Sequence, residues 1–423
     1  MRAPFDALET QSPAQREAAL MAALPGQVAH AQAHSAAFAH ILQGVDASTI
    51  GSRAALACLP VTRKHELQQR QESARAGAPG ALASGDVFGG FGTQAWGTAM
   101  PRVFSSPGPI YEPGGAQRDY WRMARAMSAA GFRAGDLVHN SFSYHFVPAG
   151  AMMESGAHVL GCTVFPAGTG NTEQQVGAMQ SLRPTAYTGT PSFLRIIVEK
   201  ANAMGVALPS LTKALVGGEA FAPSLRDWYS QQGIAAYQFY ATAELGQIAY
   251  ETEAREGLVV DEGVLVEIVR PGTNAQVPEG EVGEVVVTTF NPIYPLIRFG
   301  TGDLSAILPG QCPTGRTNMR IQGWLGRADQ STKIRGMFVH PKQVDAIVKR
   351  FPEVARARLV VSGSMAQDTM TLFVEVVHAV QGLAARLADA IRDVIQLRGQ
   401  VEVVPLGSLP NDGKVIEDAR DRT

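Results

Sequence analysis

The chain has 423 residues, a formal net charge of −2 and three cysteines. The charges are interspersed, and neither a basic run nor a continuous apolar span occurs, which argues against nucleic acid and membrane partners and for a small-molecule substrate. The odd, scattered set Cys58, Cys162 and Cys312 indicates reduced thiols, and the opening residues contain no apolar signal segment, so a cytoplasmic protein is expected.

The first part of the chain predicts helices and then a parallel sheet. Helical patterns cover residues 11–23, 27–42 and 62–69, and a Gly-rich irregular connection follows over 77–97. Short apolar runs at 136–140, 162–165, 185–187, 214–216 and 236–239 then alternate with longer helical patterns. This alternation predicts an α/β fold with a doubly wound, mostly parallel sheet.

The character of the chain changes after residue 257. Apolar runs at 259–260, 264–269 and 284–289, separated by Gly/Pro turns, predict an antiparallel β subdomain. A helix over 341–350, strands over 357–361 and 369–376, a helix over 383–397 and a strand over 400–404 predict a small α+β lid. The predicted domains are therefore 1–328 (helical lead-in 1–75, α/β core 98–250, β-rich subdomain 257–325) and 329–423.

Three segments fall in the order and spacing of known motifs: YATAELG at 240–246, RFGTGDL at 298–304, and GRADQSTKIRGMFVHPKQVD at 326–345. Together they resemble the adenylate-forming superfamily, in which a carboxyl group becomes an acyl-adenylate. GNTEQQ at 170–175, LRPT at 182–185 and GTPS at 189–192 resemble its phenylacetate-CoA ligase branch. The resemblance covers nearly the whole chain.

The resemblance implies a ligase that joins a small aryl or arylacetic acid to coenzyme A through an acyl-adenylate, using ATP and Mg²⁺. One rival is a stand-alone adenylating enzyme that passes the acyl group to an amine or a carrier protein. A second is a degenerate relative that binds an adenylate or acyl ligand with weak or no turnover. A homodimer is left open.

The resemblance also assigns roles to residues. Glu244 is expected to hold magnesium and assist catalysis, Asp303 to bind both ribose hydroxyls, and Lys414 to stabilise the charge that develops during adenylation. The remaining assignments are nucleotide contacts from Gly217, Gly218, Glu219, Ala220, Tyr240, Ala241, Thr242 and Arg327, a hinge at Asp329, a coenzyme A channel at Gly336, and an acyl pocket at Tyr144, His145 and Gly170. A turn cap at Asp303, a solvated tail lysine at Lys414 and core aromatic packing at Tyr144 remain open as structural alternatives.

The chain departs from its relatives at their phosphate-binding loop, which is rich in Ser, Thr and Gly and carries a lysine. Here the segment reads FSSPGPIYEP over 104–113, so Ser105 and Ser106 remain as nucleotide-binding candidates. Pro107 and Pro109 remove amide donors, and no lysine is present, so we expect the β- and γ-phosphates of ATP to be held weakly. Cys312 stands near Thr314, where some relatives carry a second cysteine for structural zinc, and no zinc is predicted.

Overall fold

A computed structural model describes residues 2–76, 86–328, 332–334, 337–339, 341–363, 368–378, 380–410 and 415–420. The chain divides into two compact units, Met1–Leu325 and Gly326–Thr423. The functional domain boundary between residues 328 and 329 stays a prediction. No helix in the described ranges is both long enough and apolar enough to cross a membrane.

The first unit begins with helices and one short strand: α1 (Pro13–His34), α2 (Ala36–Ile41), α3 (Arg53–Ala57), β1 (Thr62–Arg63) and α4 (Lys64–Ala76). Ser12 and Gln15 form a capping box at the start of α1. The break predicted between residues 23 and 27 is wrong, since α1 continues through Pro25. The helix ends instead at Ser35, which adopts an extended conformation. The Ser35 hydroxyl accepts a hydrogen bond from the Phe38 amide and so caps the start of α2.

A β-hairpin that the sequence analysis did not predict follows. Its strands are β2 (Arg102–Ser106) and β3 (Ile110–Gly114). They are antiparallel, with register running from Arg102 opposite Gly114 to Ser106 opposite Ile110. Arg102, Phe104 and Ser106 therefore share one face of β2.

The α/β core follows in the alternating pattern that the sequence predicts. Its elements are α5 (Ala124–Ala129), β4 (Leu137–Asn140), α6 (Ala149–Val159), β5 (Thr163–Pro166), α7 (Thr172–Leu182), β6 (Ala186–Gly189), α8 (Pro191–Ala203), β7 (Lys213–Val216), α9 (Pro223–Gln231) and β8 (Ala235–Thr242). Strands β5, β4, β6, β7 and β8 are neighbours in that order, and every pair is parallel. The predicted α/β fold with a mostly parallel sheet is confirmed.

The β-rich remainder of the first unit contributes to two sheets. Its strands are β9 (Gly246–Glu251), β10 (Leu258–Val260), β11 (Val264–Val269), β12 (Gly283–Thr289), β13 (Phe299–Ser305), β14 (Ile307–Leu308) and β15 (Arg320–Ile321). Strands β11, β12 and β13 form the predicted antiparallel sheet, which β1 extends by parallel pairing with β13. Strand β10, which the sequence analysis placed in that subdomain, pairs instead with β9 and β15, in the nine-stranded sheet that also contains β4 to β8.

Arg298 fastens these parts together. Its fully buried guanidinium makes two hydrogen bonds to the Glu267 carboxylate on β11, at 2.9 and 3.0 Å, and a third at 2.8 Å to the carbonyl of Ala57. The first residue of the RFGTGDL motif is thus part of the framework that joins the helical lead-in to the antiparallel sheet.

The second unit contains β16 (Gly326–Arg327), β17 (Thr332–Ile334), β18 (Met337–Val339), α10 (Pro341–Val348), β19 (Val354–Ser362), β20 (Thr369–Val376), α11 (Leu383–Ile395), β21 (Gln400–Val404) and β22 (Ile416–Asp418). Four strands form one sheet in the order β21, β20, β19 and β22. Helix α11 buries Leu383, Leu387, Ile391 and Ile395, which recur every four residues along one face. The predicted α+β character of this region is confirmed, and the strand predicted at 400–404 has the observed bounds.

Candidate nucleotide and acyl site

Glu244 lies in the short loop between β8 and β9, and its side chain is 1% exposed. Its Oε1 lies 2.6 Å from the Nζ of Lys64, the first residue of α4. Burial pushes the pKa of Glu244 upward, but the Lys64 ammonium and hydrogen bonds, including one from Thr242, outweigh it and lower the pKa. Glu244 is therefore a buried carboxylate that is kept ionised.

A second carboxylate, Glu112 on β3, lies within electrostatic reach of this pair. Its Oε1 accepts a 2.5 Å hydrogen bond from the Ser106 hydroxyl, and its Oε2 is buried with no hydrogen-bond partner among the described residues. Burial, followed by the charge of Glu244, raises the pKa of Glu112 to about 8. The sequence shows only that this segment carries no lysine, because the burial of Glu112 beside Glu244 depends on strand pairing and left no sequence signal.

Helix α4 holds the hairpin in place. The Gln71 side chain accepts a hydrogen bond from the Tyr111 amide and donates one to the Tyr111 carbonyl, both at 2.8 Å. Gln68 donates to the Gly108 carbonyl in the turn, and the Arg75 guanidinium lies 5.1 Å from the centre of the Tyr111 ring. Of the two serines predicted to bind nucleotide, Ser106 is engaged by Glu112, while the Ser105 amide donates to the Phe146 carbonyl at 2.8 Å. The segment that replaces the family's phosphate loop is thus an ordered hairpin.

Asp303, the predicted ribose ligand, lies on β13 and is 8% exposed. The Tyr240 hydroxyl donates to its Oδ2 at 2.9 Å, and the Trp324 indole donates to its Oδ1 at 3.0 Å. These two donors, one on each oxygen, set the orientation of the carboxylate. Trp324 belongs to none of the motifs, and the sequence analysis missed it.

The loop that carries Glu244 is shaped by its neighbours in the YATAELG motif. A β-bulge between Tyr240 and Ala241 interrupts the pairing of β8 with β9. The Thr242 hydroxyl accepts the Leu245 amide at 3.3 Å. The motif therefore places Tyr240 against Asp303 and, four residues later, Glu244 against Lys64.

The predicted adenine turn follows β7 at the carboxyl edge of the parallel strands. A Cβ on Gly217 would come within 2.7 Å of the Phe239 ring, and Gly218 has a φ of +79°, so both positions favour glycine. Glu219 Oε1 accepts the Ser192 amide at 2.6 Å, which ties the turn, including the following Ala220, to the start of α8. The edge location is where open α/β sheets bind ligands.

Of the three predicted acyl-pocket residues, Tyr144 lines a cavity of about 390 Å³. Its other lining residues are Arg102, Phe104, Val147, Ala151, Glu154 and Pro166. His145 is solvent-exposed and does not line the cavity. Gly170, at a φ of +77°, lies in the turn after β5, where its carbonyl accepts the Gln175 side chain at 2.7 Å. The structure thus brings Tyr144, and not His145 or Gly170, to this cavity.

The predicted residues of the second part of the chain are less fully described. Lys414, Asp329 and Gly336 lie outside the described residues. Arg327 lies on the short strand β16 of the second unit. Their assigned roles stay predictions.

Magnesium and zinc differ in the side-chain donors that each requires. Magnesium is commonly held by one or two carboxylates together with substrate phosphates and water, a set that Glu244 suits. Within the described ranges, no group of three or more His, Cys, Asp or Glu side chains is placed to hold a metal. Cys312 Sγ instead lies 3.3 Å from the Thr252 hydroxyl and 3.1 Å from the Thr314 hydroxyl.

Known protein families match parts of both units of the chain. A family model described as AMP-binding enzyme matches residues 116–291, and one for the AMP-binding enzyme C-terminal domain matches residues 336–420. A phenylacetate-coenzyme A ligase of Thermus thermophilus is 32% identical over 317 residues, which cover 68% of this chain and 71% of the relative. A phenylacetate-coenzyme A ligase of Escherichia coli K12 is 29% identical over 339 residues, covering 74% and 77%.

A solved structure has the same fold. A 2-hydroxyisobutyryl-CoA ligase in complex with 2-HIB-AMP and CoA superposes with a TM-score of 0.80 at 24% identity, covering 98% of this chain and 92% of that one.

Proposed function

The chain belongs to the phenylacetate-CoA ligase family of AMP-binding enzymes and is an acyl-CoA ligase that acts through an adenylate, and from this premise we propose that its substrate is a small aryl or arylacetic acid. In the first step the carboxylate attacks the α-phosphate of ATP and pyrophosphate leaves. In the second step the coenzyme A thiol attacks the acyl carbonyl and AMP leaves.

One observation carries the assignment of nucleotide roles. The 2.9 Å hydrogen bond from Tyr240 to Asp303 joins two motif segments 63 residues apart, and Glu244 follows Tyr240 by four residues. This arrangement supports Asp303 as the ribose ligand and Glu244 as the magnesium ligand. Bound magnesium supplies charge neutralisation at the phosphates, and the chain's own part is to hold an ionised carboxylate ready for it.

The glycine turn supports the same proposal. Gly217 lets the Phe239 ring pack closely against the turn, and Gly218 adopts the positive φ that the turn needs, at the sheet edge where we place the adenine ring. Glu219 fixes the turn by accepting a hydrogen bond from the Ser192 amide at the start of α8. Ala220, Ala241, Thr242, Ser105 and Ser106 stay proposed nucleotide contacts.

The residues beyond the first unit complete the proposal. We assign Lys414 to charge stabilisation during adenylation, Arg327 to the nucleotide, Asp329 to the hinge and Gly336 to the pantetheine channel. Tyr144, His145 and Gly170 stay proposed acyl-pocket residues, although the cavity described above is lined by Tyr144 and not by the other two. A cytoplasmic location and a homodimer also stay predictions.

A second candidate is a relative that turns over ATP slowly. Pro107 and Pro109 lack amide donors, and Glu112 adds a carboxyl where phosphate charge would gather. These features support slow adenylation with an intact thioester step.

ATP–pyrophosphate exchange with a panel of ring-bearing and aliphatic acids tests the proposal. We expect exchange with aryl or arylacetic acids, and thioester formation when free coenzyme A is added. Exchange with aliphatic acids alone would overturn the substrate class. Thioester formation from a synthetic acyl-adenylate without measurable exchange would favour the second candidate.

A further inference from the structure

The cavity of about 390 Å³ beside Tyr144 has both apolar and charged residues in its wall. Its apolar lining comes from Phe104, Val147, Ala151 and Pro166, while Arg102 and Glu154 supply the charges. It adjoins the carboxyl ends of β4 and β5, and its size suits a small ligand. A carboxylate beside these apolar side chains has a strong effect on which ligand fits.

A chain of hydrogen bonds fixes Glu154. The Asn140 side chain donates to the Tyr144 hydroxyl at 2.8 Å, and that hydroxyl donates to Glu154 Oε2 at 2.8 Å. Asn140 is itself held by the Gly150 carbonyl and the Phe142 amide. Burial, followed by the Glu154 carboxylate, raises the pKa of Tyr144, so the hydroxyl remains a donor. The orientation of the Glu154 carboxylate is therefore set before any ligand arrives.

The second oxygen, Glu154 Oε1, has no hydrogen-bond partner among the described residues and is not closed off from solvent. An unsubstituted ring packed against it would strip water from the carboxylate without replacing the lost hydrogen bond. A hydroxyl or amino group on the ring would replace it.

The hairpin indicates which end of the acid would meet Glu154. Arg102 and Phe104 line the cavity, and Ser106, on the same face of β2, bonds Glu112 beside Glu244. Four residues of strand span roughly 13 Å. The cavity thus lies at one end of β2 and the candidate magnesium ligand near the other. An acid whose carboxylate faces the nucleotide would direct its distal ring position into the cavity.

We propose that Glu154 Oε1 accepts a hydrogen bond from the substrate, which is an aryl or arylacetic acid bearing a hydroxyl or amino group on the ring position farthest from its carboxylate. This inference rests on the proposed function, since it adds a ring substituent to the proposed acid. Arg102 is exposed, and among the described residues no hydrogen bond or ion pair fixes its guanidinium, so recognition of an acidic substituent is disfavoured.

Thioester formation with a matched series of para-substituted phenylacetic acids tests the inference. The substituents are hydroxyl, amino, methyl, carboxyl and hydrogen. We expect kcat/KM for the hydroxyl or amino acid to exceed that for the methyl acid by on the order of 10- to 100-fold, the range expected when a buried acceptor is left unpaired. A wild-type enzyme that prefers the methyl, carboxyl or unsubstituted acid would overturn it.

Variants of Glu154 distinguish recognition of the ring substituent from a purely structural role. Glu154→Leu should lower kcat/KM for the hydroxyl acid and raise it for the methyl acid, whereas a merely structural residue would change both in parallel. If Glu154→Leu does not fold, Glu154→Gln keeps the shape and should still lower the hydroxyl-to-methyl ratio about fivefold. Glu199→Gln, on the surface of α8, is the matched control.

The results of these tests distinguish a failure of the proposed function from a failure of this inference alone. If no ring-bearing acid reacts while aliphatic acids do, the proposed function is wrong. If ring-bearing acids react but the ratio does not depend on Glu154, the substrate class stands and this inference alone is wrong.

Discussion

The ribose side and the phosphate side of the candidate site are built in opposite ways. On the ribose side, Asp303 accepts hydrogen bonds from Tyr240 and Trp324, and these two donors set the orientation of its carboxylate. On the phosphate side, Glu112 has a buried oxygen without a hydrogen-bond partner among the described residues, and it lies near the ionised Glu244. The first arrangement presents an acceptor anchored by two donors, whereas the second places a carboxyl of raised pKa beside the ionised Glu244, near the proposed phosphate position. A retained motif and a replaced loop can therefore coexist in one site.

The largest effect is expected from removing Arg298, which supports the ribose side of the candidate site. Arg298→Met leaves Glu267 as an uncompensated buried charge, and we expect a loss of about 3–5 kcal/mol in the free energy of unfolding. Chemical denaturation measures it. The double variant Arg298→Met/Glu267→Met should recover much of the loss, and AMP affinity of the folded protein should stay within about twofold. A large change in AMP affinity with unchanged stability would make Arg298 a ligand contact.

The second-largest effect is expected at the proposed ribose contact. Asp303→Ala should weaken AMP binding on the order of 100-fold, because it removes a charged acceptor for two hydroxyls and leaves Tyr240 and Trp324 without their partner. Calorimetric titration with AMP measures this. Asp227→Ala, at an exposed position on α9, is the control. Equal affinities of the two variants would place the ribose elsewhere.

A smaller effect is expected on the phosphate side. Because the pKa of Glu112 is raised to about 8, its carboxyl is neutral at pH 7 and ionised at pH 9. ATP should bind more weakly than AMP, and this gap should widen roughly fivefold between pH 7 and pH 9 as the added charge repels the terminal phosphates. Titrations without divalent cations isolate the effect. Glu112→Gln should abolish the widening, and an unchanged gap in this variant would assign the pH dependence to another group.

The smallest expected effect is on stability. From its ordinary pKa of 4.5 up to about 8, the unfolded chain releases the Glu112 proton while the folded protein retains it, so stability falls as pH rises through this window. Glu112→Gln removes that penalty and should raise Tm by about 2 °C or more at pH 8, with little change near pH 4.5. Thermal unfolding at the two pH values decides. A lower Tm at pH 8 would show that the carboxylate is stabilising.

The elements that the sequence predicted well share a local signal. The alternation of apolar runs and helices predicted β4 to β8 within a few residues, and the apolar run at 264–269 matched β11. The motif spacing indicated Tyr240 and Asp303 as one site, and the structure brings their side chains into contact. Local patterns and retained motifs can be recognised in a single sequence because each is contained in a few consecutive residues.

The features that were missed depend on contacts between distant segments. The hairpin of β2 and β3 contains three prolines, counting Pro113, which argue against strands, yet Gln71 from α4 binds its backbone. Trp324 reaches Asp303 across 21 residues without a motif to mark it. The helix break assigned near Pro25 falls instead at Ser35, because a favourable cap decided the end of α1. Such outcomes depend on tertiary partners that a single sequence does not display.

The ordered hairpin also has a thermodynamic consequence. A flexible glycine-rich loop loses conformational entropy when it closes on a ligand, at a cost of roughly 1–2 kcal/mol for each residue fixed. Strands β2 and β3 are already paired over five positions and clamped by Gln71 before any nucleotide is present. Nucleotide binding should therefore proceed with a small entropic penalty, and amide hydrogens of the β2–β3 ladder should exchange slowly in the unliganded protein.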